Sequence, residues 1–401
     1  MLCNILKDYN VAIQETEKFT QWDKSKERAP PIWKWIDLSE AQTSKKSSSL
    51  EELIDDTYVY LPFSVRYQLE VCLSHGYLSE FTMTRDFAVK LADLGETKAR
   101  KLLEHVATKK QVYYDPMKIF DIMFVQGVTD AKVPPYCCYM RSARVTPGTI
   151  YYNTPTVDIS NRVIRQYIEY VDRFLRVSFT DEMLWGRINS TATNTMDEVF
   201  TRIKRALVNG IVIGDRRYEF LAFGNSQFRE YGAYFFAPLP NLTAANIRGW
   251  MGHFDDIRNV ARHAARLGQC FSTTRAVAGC PVQVQKIEDI ERNGYTFSDG
   301  VGRISKFLAQ MVMSELKIKT PTGEPPSAYQ FRLGGSKGML TVDPQAQRHE
   351  VHIRNSQYKF SAKHNGLEII RWSQFSMATL NRQIIIVLSS LGISNIVFHK
   401  K

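Results

Sequence analysis

No apolar run in this chain is long enough for a membrane. The stretch Ile384 to Leu388 falls far short of the roughly 20 residues a spanning helix needs. Cysteine is sparse: Cys3, Cys72, Cys137, Cys138, Cys270 and Cys280 make up the six, and no two stand in Cys-x-x-Cys spacing. That argues against a structural zinc site and against the disulfide framework of a small secreted domain. The N-terminal Met-Leu-Cys-Asn-Ile-Leu-Lys-Asp is not a charged-then-apolar leader, so secretion is not expected. The expectation is an intracellular protein, nuclear or cytoplasmic, with no membrane partner. Asn-x-Thr triplets at Asn189 and Asn241 mean little in such a chain. No internal repeat is visible.

What the chain does have is apolar substance and positive charge. With 44% hydrophobic and 12% aromatic residues, its 401 residues can bury the cores of two or three domains. The formal net charge is +11, and its placement is uneven: Val301 to Lys401 holds 14 Lys and Arg against five Asp and Glu. Nearly all the excess lies in the last quarter. Such a field favours polyanions, although a solvated basic face would read the same way.

The pattern divides the chain. Residues 1–130 read as a helical region with a linker, marked by Pro30-Pro31 and Lys45-Lys46-Ser47-Ser48-Ser49. Within it, Phe87, Leu91, Leu94 and then Ala99, Leu102, Leu103, Val106 keep a helical period. Residues 131–290 mix strands such as Arg173–Phe179 and Arg217–Phe223 with one long helix. That helix carries Ile247, Trp250, Met251, Phe254, Ile257, Ala261, Ala264 and Leu267, and Gly268 ends it. Residues 291–379 read as short strands, at Tyr295–Ser305, Tyr329–Leu333, Met339–Val342, Val351–Arg354 and Leu367–Arg371. A helix over about Lys306–Leu316 interrupts them, which suggests a compact closed barrel. A last helix, about Leu380–Leu391, falls in residues 380–401. The predicted class is α+β.

Three motifs carry the chemistry. Gly334-Gly335-Ser336-Lys337-Gly338 sits beside a strand end, where backbone amides can cup a phosphate and Lys337 adds charge. Its spacing is not that of a Walker A loop, and a glycine-rich hairpin turn is the plain alternative. The string also fits Gly-x-Ser-x-Gly around Ser336, with Asp343 and His349, His352 or His364 as triad partners. A nucleophile elbow, however, needs a strand-to-helix turn, and here a strand follows. Around the loop stand Arg332, Lys337, Arg354 and Lys359, the cations that nucleotidyl transfer needs against a triphosphate, or four solvated side chains. Upstream, Phe297-Ser298-Asp299-Gly300-Val301-Gly302-Arg303-Ile304-Ser305 makes Asp299 either a turn residue or an acceptor that orients a base or ribose.

Taken in order, these strings with Tyr329–Gly338, Arg354–Phe360 and Leu380-Asn381-Arg382-Gln383 resemble the first double-psi β-barrel of the eukaryotic, cell-encoded RNA-dependent RNA polymerases of RNA silencing, of fungal type. Ser160–Arg165, Phe174–Phe179 and Phe220–Glu230 look like the same family, and the resemblance covers about Pro134 to Leu391. It implies a polymerase that makes double-stranded RNA from an RNA template and nucleoside triphosphates, with RNA-silencing proteins as further partners. It also implies that the middle section forms a slab and neck-like region. Lys337 and Lys359, with Arg332, would hold the incoming nucleotide; Arg354, Asp299 and the Gly335 backbone would complete a nucleotide or RNA site. The family's Mg²⁺ sits on Asp-x-Asp-Gly-Asp in a second barrel, and that string is absent from this sequence. The resemblance therefore implies a portion inactive by itself, with no catalytic or metal residue of its own and a terminal helix leading toward an absent second barrel. The alternatives are a non-catalytic RNA-binding pseudo-polymerase module and, behind it, a serine hydrolase acting through Ser336.

Overall fold

The computed structural model describes residues 59–122, 133–184, 196–224, 231–279, 281–376 and 380–399. The linker and Pro30-Pro31, the Asn189 triplet and Asn225–Glu230 of the third upstream motif lie outside them. Secondary structure is mixed α and β, as the pattern predicts.

The first described unit is helical. Helices Phe63–Ser74, Arg85–Asp93 and Glu96–Lys109 gather Leu69, Phe87, Leu91, Leu102, Leu103 and Val106 into one core. Thr84 caps the second, its side chain accepting a hydrogen bond from the Phe87 amide.

A six-stranded sheet follows, in the order β2-β1-β3-β6-β5-β4. Its strands are β1 (Cys137–Val145), β2 (Ile150–Ile159), β3 (Phe174–Phe179), β4 (Ile211–Ile213), β5 (Arg216–Ala222) and β6 (Gly232–Phe236). Alternation along β3 and β6 feeds two cores. Leu175, Val177, Ala233 and Phe235 face one side, with Tyr67 and Val71 of the first helix. Phe174, Tyr234 and Phe236 face the other, against the helices Ala244–Met251 and Val260–Gln269. A sheet covered on both faces reads as continuous apolar sequence, which is why all five residues of β6 are buried.

The sequence predicts one long helix here, and the structure has two. The break falls at Gly252, whose φ of +153° is costly for any other residue; a Cβ there would sit 2.8 Å from the Phe360 ring and from the Ser361 carbonyl oxygen. The His253 amide donates to that same Ser361 oxygen at 2.8 Å. The chain leaves the helix in order to pair with residue 361, a tertiary contact the 3.6-residue period cannot disclose.

The last large unit is a seven-stranded sheet in the order β7-β15-β12-β13-β11-β14-β8. Its members are β7 (Arg275–Ala276), β8 (Gln283–Ile287), β11 (Val301–Ser305), β12 (Ala328–Leu333), β13 (Ser336–Asp343), β14 (Glu350–Arg354) and β15 (Leu367–Trp372). β9 (Glu291–Arg292) and β10 (Tyr295–Thr296) form a separate small hairpin. The run Tyr295–Ser305 is thus two strands rather than one, split by the turn at Ser298–Gly300, and the sheet recruits β7 and β8 from before residue 291. β11 runs parallel to β13, as does β14 to β8. Helix Lys306–Glu315, capped by Ser305, packs Leu308 and Val312 onto Tyr329, Phe331 and Leu340. Beyond the sheet, helix Arg382–Ser390 buries no residue and leaves Ile384, Ile386 and Val387 exposed.

Candidate nucleotide and RNA site

The glycine-rich motif is a two-residue hairpin, Gly334-Gly335, joining β12 to β13. The register assigns its neighbours to faces. Phe331 and Leu333 point into the apolar core, while Arg332 pairs with Lys337 on one side and Glu368 on the other. Lys337, Arg332 and Glu368 therefore form a charged row on the face opposite the core. A further bridge pairs Ser336 with Tyr358, antiparallel, which sets Lys359 opposite Gly335; the Lys359 amide donates to the Gly335 carbonyl at 3.2 Å. Gly335 and Lys337 are two residues apart, so Lys337 and Lys359 leave the same side of the ladder. Lys359 is half-buried, and its Nζ donates to the Ser356 carbonyl at 2.5 Å.

Glycine here serves the protein's own crossings. A Cβ on Gly335 would lie 1.6 Å from the Phe360 carbonyl oxygen, and one on Gly338 would lie 2.2 Å from that of Gly300. At Gly302 it would meet the His352 carbonyl oxygen at 2.2 Å. The three motifs are thus bound together through main-chain contacts that admit no side chain.

Two side chains that sequence reasoning passed over complete this binding. Gln357 is fully buried; its Oε1 accepts from the Arg354 amide at 3.0 Å, and its Nε2 donates to the Met339 and Gly300 carbonyls at 3.0 and 3.3 Å. Asp289 accepts from the Ser298 hydroxyl at 2.9 Å, the Ser356 hydroxyl at 2.7 Å and the Ser356 amide at 2.9 Å. Partial burial pushes the Asp289 pKa up, but the hydrogen bonds from Ser356 and Ser298 and the Arg354 charge outweigh it and hold the carboxyl below its ordinary value. Nothing in the sequence around Asp289 marks it. Glu368 left a faint signal, a carboxylate between Leu367 and Ile369 on an apolar strand.

The arginines of the basic set turn inward. Arg354 is buried, with Nε donating to the Val301 carbonyl at 2.9 Å and Nη1 to that of Glu288. Arg332 is buried as well, donating to the Ser272 hydroxyl at 3.3 Å and the Phe331 carbonyl at 2.9 Å. Burial, opposed by Glu368 and reinforced by Arg162, pushes the Arg332 guanidinium down to about 10. Behind the row, Arg162 reaches across from the six-stranded unit. Its Nε and Nη2 grip Glu368 Oε2 at 2.9 and 2.8 Å, and its Nη1 donates to the Gly334 carbonyl at 2.7 Å. Arg165 takes the other Glu368 oxygen, and Gln269 Nε2 donates to the Gly335 carbonyl at 3.2 Å. The hairpin is held from behind at both of its glycines. Asp299 is exposed at its turn.

The hydrolase geometry is missing. Ser336 is buried and begins strand β13 rather than capping a helix. Asp343 pairs with Arg303 at 3.0 Å, and His352 with Glu350 at 3.0 Å. The elbow's strand-to-helix turn does not form, because the residues after Ser336 pair on both sides with β12 and β11.

Among the described residues no three His, Cys, Asp or Glu side chains gather as they would to hold a metal ion. These residues do not fit a Mg²⁺ site. Among them, too, no helix is long and apolar enough to cross a membrane.

The α+β scaffold sets Lys337 and Lys359 beside a tightly pinned glycine hairpin. A family model described as RNA dependent RNA polymerase matches residues 145–401, and the chain belongs to that family. It is 36% identical to RNA-dependent RNA polymerase 1 of Arabidopsis thaliana over 382 residues, 89% of this chain and 34% of that protein. It is 39% identical to RNA-dependent RNA polymerase 1 of Schizosaccharomyces pombe over 342 residues, 83% of this chain and 28% of that one. In fold it is similar to the RNA dependent RNA polymerase QDE-1 from Thielavia terrestris, with a TM-score of 0.60 at 18% identity, over 84% of this chain and 39% of the other. The chain spans about a third of the length of the curated relatives it matches.

Proposed function

We propose that this chain is the nucleotide-positioning portion of an RNA-directed RNA polymerase that makes double-stranded RNA for small-RNA silencing. Its seven-stranded unit is read as a double-psi β-barrel, a reading supported by the parallel pairing of β11 with β13 and by the segment around Tyr358 that crosses β13. Lys337 and Lys359 neutralise the triphosphate of the incoming nucleotide, as point charges that follow it without demanding one geometry. Arg332 and Arg354, whose donors go to protein carbonyls and a hydroxyl, act by holding the loop that carries the lysines. Asp299 orients the ribose or base. The observation that carries this reading is the common side of the ladder shared by Lys337 and Lys359.

The sequence has no Asp-x-Asp-Gly-Asp, and on this reading the portion by itself binds RNA and nucleotide without extending a primer. The same observation favours, as a second reading, a non-catalytic RNA-binding module.

The test is Lys337→Ala in a version of the protein that carries the aspartate motif. Nucleotide incorporation should fall far more than RNA affinity, and equal loss of both would contradict the role. Templated synthesis by the purified 401-residue chain would overturn its assignment as a non-extending portion.

A further inference from the structure

The cleft beside Lys359 continues away from the hairpin along helix Val260–Gln269. It encloses about 530 Å³ between that helix and the Tyr358–Lys359 segment, and Asp256, Arg258, Arg262 and Arg266 line its far wall. Arg262 and Arg266, four residues apart, stack along one face of the helix, and Arg258 stands just before its N-cap, Asn259. The opposite face, with His263, Ala264 and Leu267, is buried in the core under the six-stranded sheet. The arginine face therefore cannot turn away from the cleft.

Basic residues outnumber acidic ones in this cleft. Three arginines and Lys359 line it with one carboxylate residue, Asp256, and the Lys359 ammonium is engaged by the Ser356 carbonyl. Among the described residues none of the three guanidiniums has a hydrogen-bond or ion-pair partner, whereas Arg162, Arg165, Arg332 and Arg354 all have theirs. Arg262 and Arg266 crowd one another: burial, and then Arg262's like charge, lower the Arg266 pKa. Like charges left together without counter-charge are disfavoured unless an anion completes the site. Tyr358, 53% exposed, stands at the rim where the cleft meets the lysine.

We propose that this cleft is a track for the phosphate backbone of a single RNA strand, with Arg258, Arg262 and Arg266 each meeting a phosphate and Tyr358 stacking on a base. The planar guanidinium matches phosphate in a forked pair, and an aromatic ring accepts any base, so the track reads no sequence. It rests on the proposed polymerase function and extends it: the strand is led toward the hairpin by a row of arginines that ends at Lys359. A free nucleoside triphosphate has the same phosphate chemistry, and the experiment separates the two.

The measurement is binding of a fluorescein-labelled oligouridylate to the full 401-residue chain across a salt series, alongside ATP binding by calorimetry. For Arg262→Gln with Arg266→Gln, RNA affinity should drop and the slope of log affinity against log salt should lessen by about 1.4, two single-strand contacts' worth, with ATP binding unchanged. Arg262→Lys with Arg266→Lys should restore most of the slope, which a merely misfolded variant would not do. Tyr358→Ala should weaken RNA binding roughly tenfold with the slope kept. An unchanged slope in the glutamine variant, or a loss of ATP rather than RNA binding, overturns the track while leaving the polymerase reading intact. If the unaltered chain binds no RNA at any salt concentration, both readings fail.

Discussion

Arg162 and Glu368, 206 residues apart in the chain, form a buried forked ion pair between the six-stranded unit and the seven-stranded sheet. Arg162 spends its third donor on the Gly334 carbonyl, so the pair ties the glycine hairpin to the neighbouring unit as well as closing an interface. A buried pair is weak evidence of net stabilisation, because desolvation offsets the attraction. Its disruption is another matter.

Glu368→Gln would leave Arg162 and Arg165 without their shared counter-charge. Removing one partner of a buried pair costs about 3–5 kcal/mol, and urea unfolding should show a loss of that order. RNA binding should weaken with it, since the hairpin loses its rear support. A variant within experimental error of the parent would show that the pair does not position the loop.

Gly335→Ala tests the main-chain crossing. The added methyl would meet the Phe360 carbonyl oxygen at 1.6 Å, which no rotamer can relieve. The expected cost is at least the roughly 1–3 kcal/mol of an overpacked core. Gly323→Ala is the control: φ is +72°, but nothing lies within 4 Å, so only backbone strain of about 1–2 kcal/mol applies. Thermal melts of the two variants should separate clearly; equal losses would refute the crowding.

Asp289 makes the fold sensitive to acid. Its folded-state pKa lies below the ordinary 3.8, so the unfolded chain holds that proton more tightly. The contribution to stability is complete well above 3.8 and is lost as pH falls through that value toward the depressed one. Asp289→Asn should flatten the stability curve between about pH 5 and pH 3 while lowering stability at neutral pH. Denaturant midpoints across that range provide the check. An unchanged curve would mean the three hydrogen bonds from Ser298 and Ser356 carry no proton linkage.

Much of this fold reads directly from the sequence. The strands from Ala328 to Trp372 and the helix Lys306–Glu315 stand close to where the residue pattern puts them, because each buries one face locally. The candidate lysines, too, are marked by their motifs. What stays hidden depends on contacts between distant segments. The break at Gly252 depends on Phe360, the role of Glu368 on Arg162, and that of Gln357 on the carbonyls of Gly300 and Met339. Asp289 gains meaning only when Ser298 and Ser356 close on it. Arg262 and Arg266 lie on the polar face of a helix whose period discloses only its apolar side, and Arg258 precedes that helix.

The close approach of Gly335 to Phe360 has a thermodynamic corollary. Because main chain meets main chain there, the origins of the two lysine stems are fixed when the chain folds, and substitutions that keep Gly335 leave that spacing alone. An arriving anion then has only stem rotamers left to order, on the order of 2 kcal/mol for each lysine. Assembling two mutually repelling cations is completed before any ligand is present.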